Sequence, residues 1–552
     1  MIKKYRLGKA FDIIFCLLIL AFSFYLPFES GQRGFFAFDQ SIYFDGSYRI
    51  LIGQIPYKDF VIPFGPMVFW IQAVFFKLFG INYSSYISSA AITNVLAVAC
   101  SILILRILFP FRRFLSYISG LVTAAWFYSP FGTIYVEQTA FFFSLLAITA
   151  ILVTLHAKDR YPAAHGFLLS ASGIFTFLSC ISKQNAGPPF FLLCILLLIA
   201  ISMPKIKNIG WNMTIYSAGF IGSMALFFIW LTCYSNLEIF VRYFFQIPSN
   251  LIGVRLLEHG WLGLFKNLFF MHRMPTFFKL GGLVIIFTAL SALLPWFCGP
   301  DKYKDEQKRL LLSCTICIFL VIFQNYFTYG TNNQLENGLS FTGIILAINT
   351  GLLFHLLRHI PMMTQNIAAK NISKGVVAAA IFISSYSAAF MLIAGTDVSL
   401  HRVVQDIFNG STFTKCFSEQ KLKSLKWGYP TEIRGSTVTG KDITDLLGYL
   451  KSENKNIFIF PDFTIFYALL GVPSPQPVLW FHKGLTYPVQ YDEMLDNWIV
   501  RDLIKNKVEI VIIEKSSFIG TDFRLNDFPV LKSYIENNFR ETGQIGIFKI
   551  YK

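Results

Sequence analysis

The sequence predicts a polytopic α-helical membrane protein that ends in a soluble α/β domain. Three observations carry this. First, only 14% of the 552 residues are charged, 55% are hydrophobic, and the mean hydropathy is +0.55. Soluble domains hold about 25% charged residues, so most of this chain must face lipid or other helices. Second, apolar stretches near the ~20 residues that a membrane helix needs recur along the first two-thirds of the chain. Third, the composition changes after residue 394, where short β-rich runs alternate with amphipathic helical patterns.

The first span follows the basic segment Lys3, Lys4, Arg6 and Lys9 and covers 10–28. A signal peptide also begins basic and then apolar, but no small-x-small cleavage site follows here and more spans come later. It is read as an uncleaved helix. Further spans are expected near 87–105, 114–132, 138–156, 164–182, 187–203, 211–233, 277–297, 310–328, 338–357 and 374–394, about eleven in all. Alternate loops hold the basic residues: Arg106, Arg112 and Arg113; Lys158 and Arg160; Lys205 and Lys207; Lys302, Lys304, Lys308 and Arg309; Arg358, Lys370 and Lys374. They all fall on the side of the N-terminus, which the positive-inside rule makes cytoplasmic. This asymmetry accounts for the net charge of +16 without nucleic acid as a partner. A crossing at Pro63–Gly80 would put the basic loops outside, so that segment is read as an amphipathic helix on the outer face. The expected organisation is a membrane domain, 1–394, with a long external loop, 29–86, holding amphipathic surface helices, and an extracytoplasmic domain, 395–552. A bacterial inner membrane is the expected location.

In the C-terminal domain, Asn456–Asp462 and Val508–Lys515 read as buried strands. Helices are expected at 441–454, 491–506 and 529–539, and a last strand pair within Glu541–Tyr551. No nucleotide-binding glycine motif is present. The nine cysteines form no disulfide or zinc framework, and Cys314 and Cys317 lie within an apolar helix.

Polar residues that could carry chemistry collect in the external loops. Asp39 opens the first loop, followed by Tyr43, Ser47, Ile50 and Leu51 at helical spacing, and then Gly53, Pro56, Tyr57 and Asp59. A carboxylate at the membrane–water interface suits a substrate with a lipid tail and a polar head. The same residue could instead cap its helix. Asp59 could pair with Lys58 or Arg49. Glu137 stands at the outer end of a later helix, and Lys183, between Ser182 and Gln184-Asn185, at an external turn. A lone external lysine flanked by amides can hold a phosphate, or can snorkel to the interface. Arg242, Gln246, Asn250, Arg255, Glu258, His259, His272 and Arg273 form a set basic enough to neutralise a phosphodiester, and Gln324, Asn325, Tyr329, Asn332, Asn333, Gln334, Glu336 and Asn337 could bond a sugar; either set could equally be a solvated loop. His259 and His272 are conceivable metal ligands, though their spacing does not argue for it.

The ordered pattern Asp39-Gln40, Tyr43, Gly53, Pro56-Tyr57, Asp59-Phe60, Gly65-Pro66 and Phe79-Gly80 resembles the first external loop of GT-C membrane glycosyltransferases, in the protein O-mannosyltransferase and aminoarabinose transferase branch. Gln40 stands where that branch often has Glu. Glu137 resembles the branch's second acidic position, and Ser182-Lys183-Gln184-Asn185-Ala186-Gly187 its K-Q-x-x-G turn. The resemblance implies a polyprenyl-phosphate monosaccharide donor and transfer on the outer face with inversion. Asp39 would be the general base, Glu137 would orient a substrate or help to bind a divalent cation, and Lys183 would hold the donor phosphate. Gln184, Tyr57, Asp59 and Arg255 are the further substrate-binding candidates. A divalent cation is the one cofactor the resemblance leaves open. The acceptor could be a glycolipid, a polysaccharide or a protein. The competing readings are a transporter or flippase of lipid-linked sugars and a surface-polysaccharide polymerase or ligase. A transporter would place its polar groups near the bilayer midplane.

Overall fold

The computed structural model describes residues 2–157, 162–203, 206–250, 281–298, 304–330, 335–363, 367–402, 412–415, 417–429 and 437–552. The expected spans fall on helices wherever they are described. These are α1 (Ile2–Gly31), α4 (Tyr83–Leu108), α5 (Arg113–Trp126), α6 (Val136–Ala157), α7 (Pro162–Ser182), α8 (Pro188–Ser202), α9 (Ile206–Tyr234), α10 (Gly281–Cys298), α11 (Lys304–Asn325), α12 (Thr342–Met363) and α13 (Ile367–His401). Among the described residues, eight helices are long and apolar enough to cross a membrane. The shorter α5, α8 and α10, of 14, 15 and 18 residues, stand where the remaining spans are expected. The protein is an integral membrane protein.

Polar side chains join these helices where lipid offers no competing partner. Asn94 in α4 donates to the carbonyls of Ser23 in α1, at 2.7 Å, and Ala124 in α5, at 3.2 Å. It also accepts from the amide of Tyr128 at 3.1 Å. Two boundaries differ from expectation. α5 ends at Trp126 because Pro130 and Gly132 (φ +64) turn the chain across the end of α1. A Cβ on Gly132 would overlap the backbone of Gly31. α13 runs past 394 to His401 and is stopped by Arg402 (φ +55). The Arg402 guanidinium donates to the carbonyls of Arg33 (2.9 Å), Pro130 (2.9 Å) and Phe131 (2.7 Å).

The loop between α1 and α4 carries α2 (Ala37–Leu51) and α3 (Met67–Phe79). At 13 residues α3 is about 20 Å long, too short to cross a ~30 Å hydrocarbon layer. Val74, Leu78 and Phe79 remain exposed on it, as an interfacial helix requires. α2 is not the surface helix the sequence suggested. Its polar face, Gln40, Ser41, Asp45, Ser47 and Arg49, is buried. The C-terminal domain covers the Arg49 end of α2, while Thr133 and Tyr86 meet Gln40 at its start.

That domain has the expected elements. Helix α14 (Gly440–Glu453) precedes strand β1 (Ile457–Phe460). Helix α15 (Glu493–Lys505) precedes β2 (Ile510–Glu514), and α16 (Pro529–Asn538) precedes the hairpin β3 (Glu541–Ile545) and β4 (Phe548–Tyr551). The sheet order is β1-β2-β4-β3, parallel between β1 and β2 and antiparallel elsewhere. Backbone hydrogen bonds tie it to the first loop: Gly34 to Lys426 (2.9 Å), Phe35 to Gly428 (2.9 Å) and Val61 to Pro477 (2.8 Å).

Arg49 completes the contact. Its guanidinium is wholly buried, pairs with Asp45 at 2.9 Å, and donates to the Gln476 carbonyl at 2.8 Å and to the Ser474 hydroxyl. Burial pushes the Asp45 carboxyl up to about 6, against the pull of Arg49, so the pair does not fully offset its desolvation. Arg49→Met should therefore cost about 3–5 kcal/mol, because it strands a buried carboxylate. The double variant Arg49→Met/Asp45→Leu should recover much of that loss in thermal melts of detergent-solubilised protein.

Candidate active site

The first turn of α2 presents Asp39. Phe36 enters the helix extended (φ −107°, ψ 96°), and its amide donates to the Gln40 side-chain oxygen at 2.9 Å. Tyr86 fixes the Gln40 carbonyl at 3.1 Å. Gln40 thus serves the helix start, and Asp39 is not the cap. The Asp39 carboxylate instead accepts a hydrogen bond from the Tyr135 hydroxyl. Asp39 keeps partial solvent access, unlike its neighbours in α2. Burial pushes its carboxyl up to about 7. Tyr135 and Lys183 oppose the rise, while the charges of Glu137 and Asp462 add to it.

Tyr135 comes from the turn that Gly132 allows, and its ring lies 5.1 Å from Tyr43 and 4.8 Å from Phe131. Two residues on, Glu137 stands in the first turn of α6, where the helix dipole favours a carboxylate. Glu137 faces Lys183 at 3.2 Å, with 7% and 11% of the two side chains exposed. The second Glu137 oxygen is buried without a hydrogen-bond partner among the described residues.

Lys183 follows the end of α7, where the chain is stitched to the first loop. Its ammonium lies 5.5 Å over the ring of Phe64. The Gly65 amide donates to the Ser182 carbonyl at 3.1 Å, and the Gln184 amide to the Pro63 carbonyl at 2.9 Å. A Cβ on Gly65 would overlap the Ile181 carbonyl, so only glycine permits this approach. The side-chain oxygens of Gln184 and Asn185 are buried without partners among the described residues. The structure thus brings Asp39, Glu137, Lys183 and Gln184 to one place.

It does not bring the other candidates there. The Tyr57 hydroxyl donates to the Phe64 carbonyl at 2.6 Å. Asp59 accepts from the Ile55 amide at 2.7 Å, and neither Lys58 nor Arg49 is its partner. Both side chains shape the loop itself. Arg255 lies outside the described residues, as do His259 and His272. Among the described residues no group of three or more His, Cys, Asp or Glu could hold a metal ion.

The C-terminal domain adds residues that sequence reasoning missed. Asp462, just after β1, makes a two-point ion pair with Arg524 at 2.6 and 2.8 Å. Glu514 accepts from the amides of Asp462 and Phe463 at 2.6 and 2.9 Å, and burial raises its carboxyl to about 8. The Arg524 guanidinium lies 5.8 Å over Phe38, the neighbour of Asp39. Tyr135 was visible beside Glu137 in the sequence. Asp462 and Arg524 gave no local signal.

The raised Asp39 carboxyl has a thermodynamic consequence. Between its unfolded value and about 7, the folded protein holds a proton that the unfolded chain releases, so stability falls as pH rises through that window. Asp39→Asn should therefore melt higher than wild type at about pH 8, with the gap shrinking steadily toward about pH 4. Parallel curves at both pH values would contradict the assignment.

No protein-family model and no curated relative matches the sequence. Solved structures do. The apo crystal structure of ArnT from Cupriavidus metallidurans matches at 12% identity and a TM-score of 0.51, covering 99% of this chain and 98% of that one. ArnT bound to undecaprenyl phosphate matches at 11% identity and 0.48, covering 98% of each chain. The archaeal oligosaccharyltransferase AglB from Archaeoglobus fulgidus, in complex with an inhibitory peptide and a dolichol-phosphate, matches at 11% and 0.46, covering 99% and 74%. The fold of this chain is that of the ArnT structure, over nearly the full length of both chains.

Proposed function

We propose that this protein is a membrane glycosyltransferase. It moves a monosaccharide from a polyprenyl-phosphate donor to an acceptor hydroxyl at the outer face of the membrane. The observation that carries this is the convergence of Asp39, Tyr135, Glu137 and Lys183 beside the interfacial helix α3. A base works best when its pKa lies near the working pH, and Asp39 is raised to about 7. The shared GT-C fold supports the same class.

The step follows from these groups. Asp39 takes the proton of the acceptor hydroxyl, whose oxygen attacks the anomeric carbon. The bond from that carbon to the phosphate oxygen breaks, and polyprenyl phosphate leaves with the electron pair. One displacement inverts the anomeric centre. Lys183 has three N–H donors, so pairing with Glu137 leaves others for the leaving phosphate. The unpartnered oxygen of Glu137 can accept a hydrogen bond from a sugar hydroxyl. Gln184 holds the lysine turn in register with the first loop. The basic loops stand at the other ends of the helices, which favours a cytoplasmic N-terminus and an external site.

The test is turnover of a panel of polyprenyl-phosphate sugars by purified protein. Transfer, or slow donor hydrolysis, is expected for wild type, with a rate that rises with pH to a plateau above about 7. Asp39→Asn should lower kcat about 10²–10⁴-fold. Lys183→Met should raise the donor KM. Equal turnover by wild type and Asp39→Asn would remove the base. Passage of intact lipid-linked sugar across liposomes, without transfer, would replace the enzyme with a flippase.

A further inference from the structure

The arginines that set the expected sidedness also build a cavity. It has a volume of about 360 Å³ and lies where α4 ends, α11 begins and α12 ends. Its walls include Phe109, Arg112, Glu306, Arg309, His355 and Arg358. The other end of α4 abuts the first external loop. At 26 residues, α4 separates the cavity from the candidate active site by about 39 Å.

The cavity has excess positive charge. Glu306 meets Arg358 at 3.5 Å, long for an ion pair, and the His355 imidazole at 4.0 Å. The Arg112 guanidinium lies 4.6 Å over the Phe354 ring, and its hydrogen bonds to the carbonyls of Gly351 and Phe354 are both 3.5 Å long. Among the described residues that line the cavity, three guanidinium groups thus face one carboxylate, and the hydrogen bonds of Arg112 and Arg358 are long. A planar guanidinium matches two phosphate oxygens at once. The rim is apolar: Phe111, beside Arg112, is 97% exposed and Phe114 is 41% exposed. An anionic headgroup joined to acyl chains fits both features, whereas a soluble anion uses only the first. Basic pockets between helix ends are a recognised form of headgroup site.

We propose that this cavity binds the phosphate of an anionic membrane lipid in the leaflet opposite the candidate active site. The proposal stands independently of the glycosyl-transfer reading. Native mass spectrometry of the full protein in mild detergent, titrated with phosphatidylglycerol, phosphatidylcholine or inorganic phosphate, tests it. Wild type should retain phosphatidylglycerol in preference to phosphatidylcholine, and Arg112→Gln/Arg358→Gln should lower that retention about tenfold. Arg358 is largely exposed, so Arg358→Gln alone gives a folded variant with a smaller loss in the same direction. Equal retention of the two lipids by wild type, or equal phosphatidylglycerol retention by wild type and variants, would overturn the proposal. So would arginine-dependent binding of inorganic phosphate with arginine-independent lipid retention, because the ligand would then be a soluble anion.

Discussion

A fully buried guanidinium, Arg49, holds the loop between α1 and α4 against the C-terminal domain. Such a group is tolerable only when its donors are satisfied and a carboxylate accompanies it. Asp45 lies one turn away in α2, and the remaining partners, Ser474 and Gln476, come from the far end of the chain. The C-terminal domain therefore cannot be separated from α2 without exposing Arg49 or stranding Asp45. This constraint fixes the orientation of α2 and, through it, the position of Asp39. The backbone bonds at Gly34, Phe35 and Val61 act in the same direction.

Further segments meet at the place so fixed, two of them through a close backbone approach. Gly132 lets the turn carrying Tyr135 cross the end of α1, and Gly65 lets the first loop seat on the end of α7 beside Lys183. α6 begins between them with Glu137. The resulting electrostatics are uneven. Lys183 and Glu137 largely neutralise each other, so burial dominates at Asp39 and holds its proton affinity near neutrality. A carboxylate so placed is poised to take up a proton rather than to serve as a fixed charge. The Asp462–Arg524 pair, reaching Phe38 from the C-terminal domain, couples that domain to the same turn of α2.

The parts of this arrangement governed by local rules were legible in the sequence. Apolar length marked the spans, because the bilayer allows few other solutions. The runs Asn456–Asp462 and Val508–Lys515 announced the paired strands β1 and β2. The resemblance around Asp39, Glu137 and the Lys183 turn implied one site, and these three side chains lie near one another. What could not be read depends on chain segments far apart in sequence. The polar face of α2 signalled solvent, but Ser474 and Gln476 bond its Arg49 and Thr133 meets its Gln40. Tyr57 and Asp59 belonged to a suggestive motif, yet their polar atoms are used in the loop's own turns. Nothing near Asp462 indicated Arg524, and no pattern around Gly31 revealed its contact with Gly132.

The central claim is that Asp39 and Lys183 face the two ends of one donor bond. An electron cryo-microscopy structure with a non-hydrolysable polyprenyl-phosphate sugar analogue bound tests it most directly. The account predicts phosphate density within hydrogen-bonding distance of Lys183 Nζ and the anomeric carbon on the side of Asp39, with Tyr135 still bonded to the carboxylate. A phosphate bound elsewhere, with the Lys183–Glu137 pair undisturbed and Asp39 remote from the sugar, would contradict it.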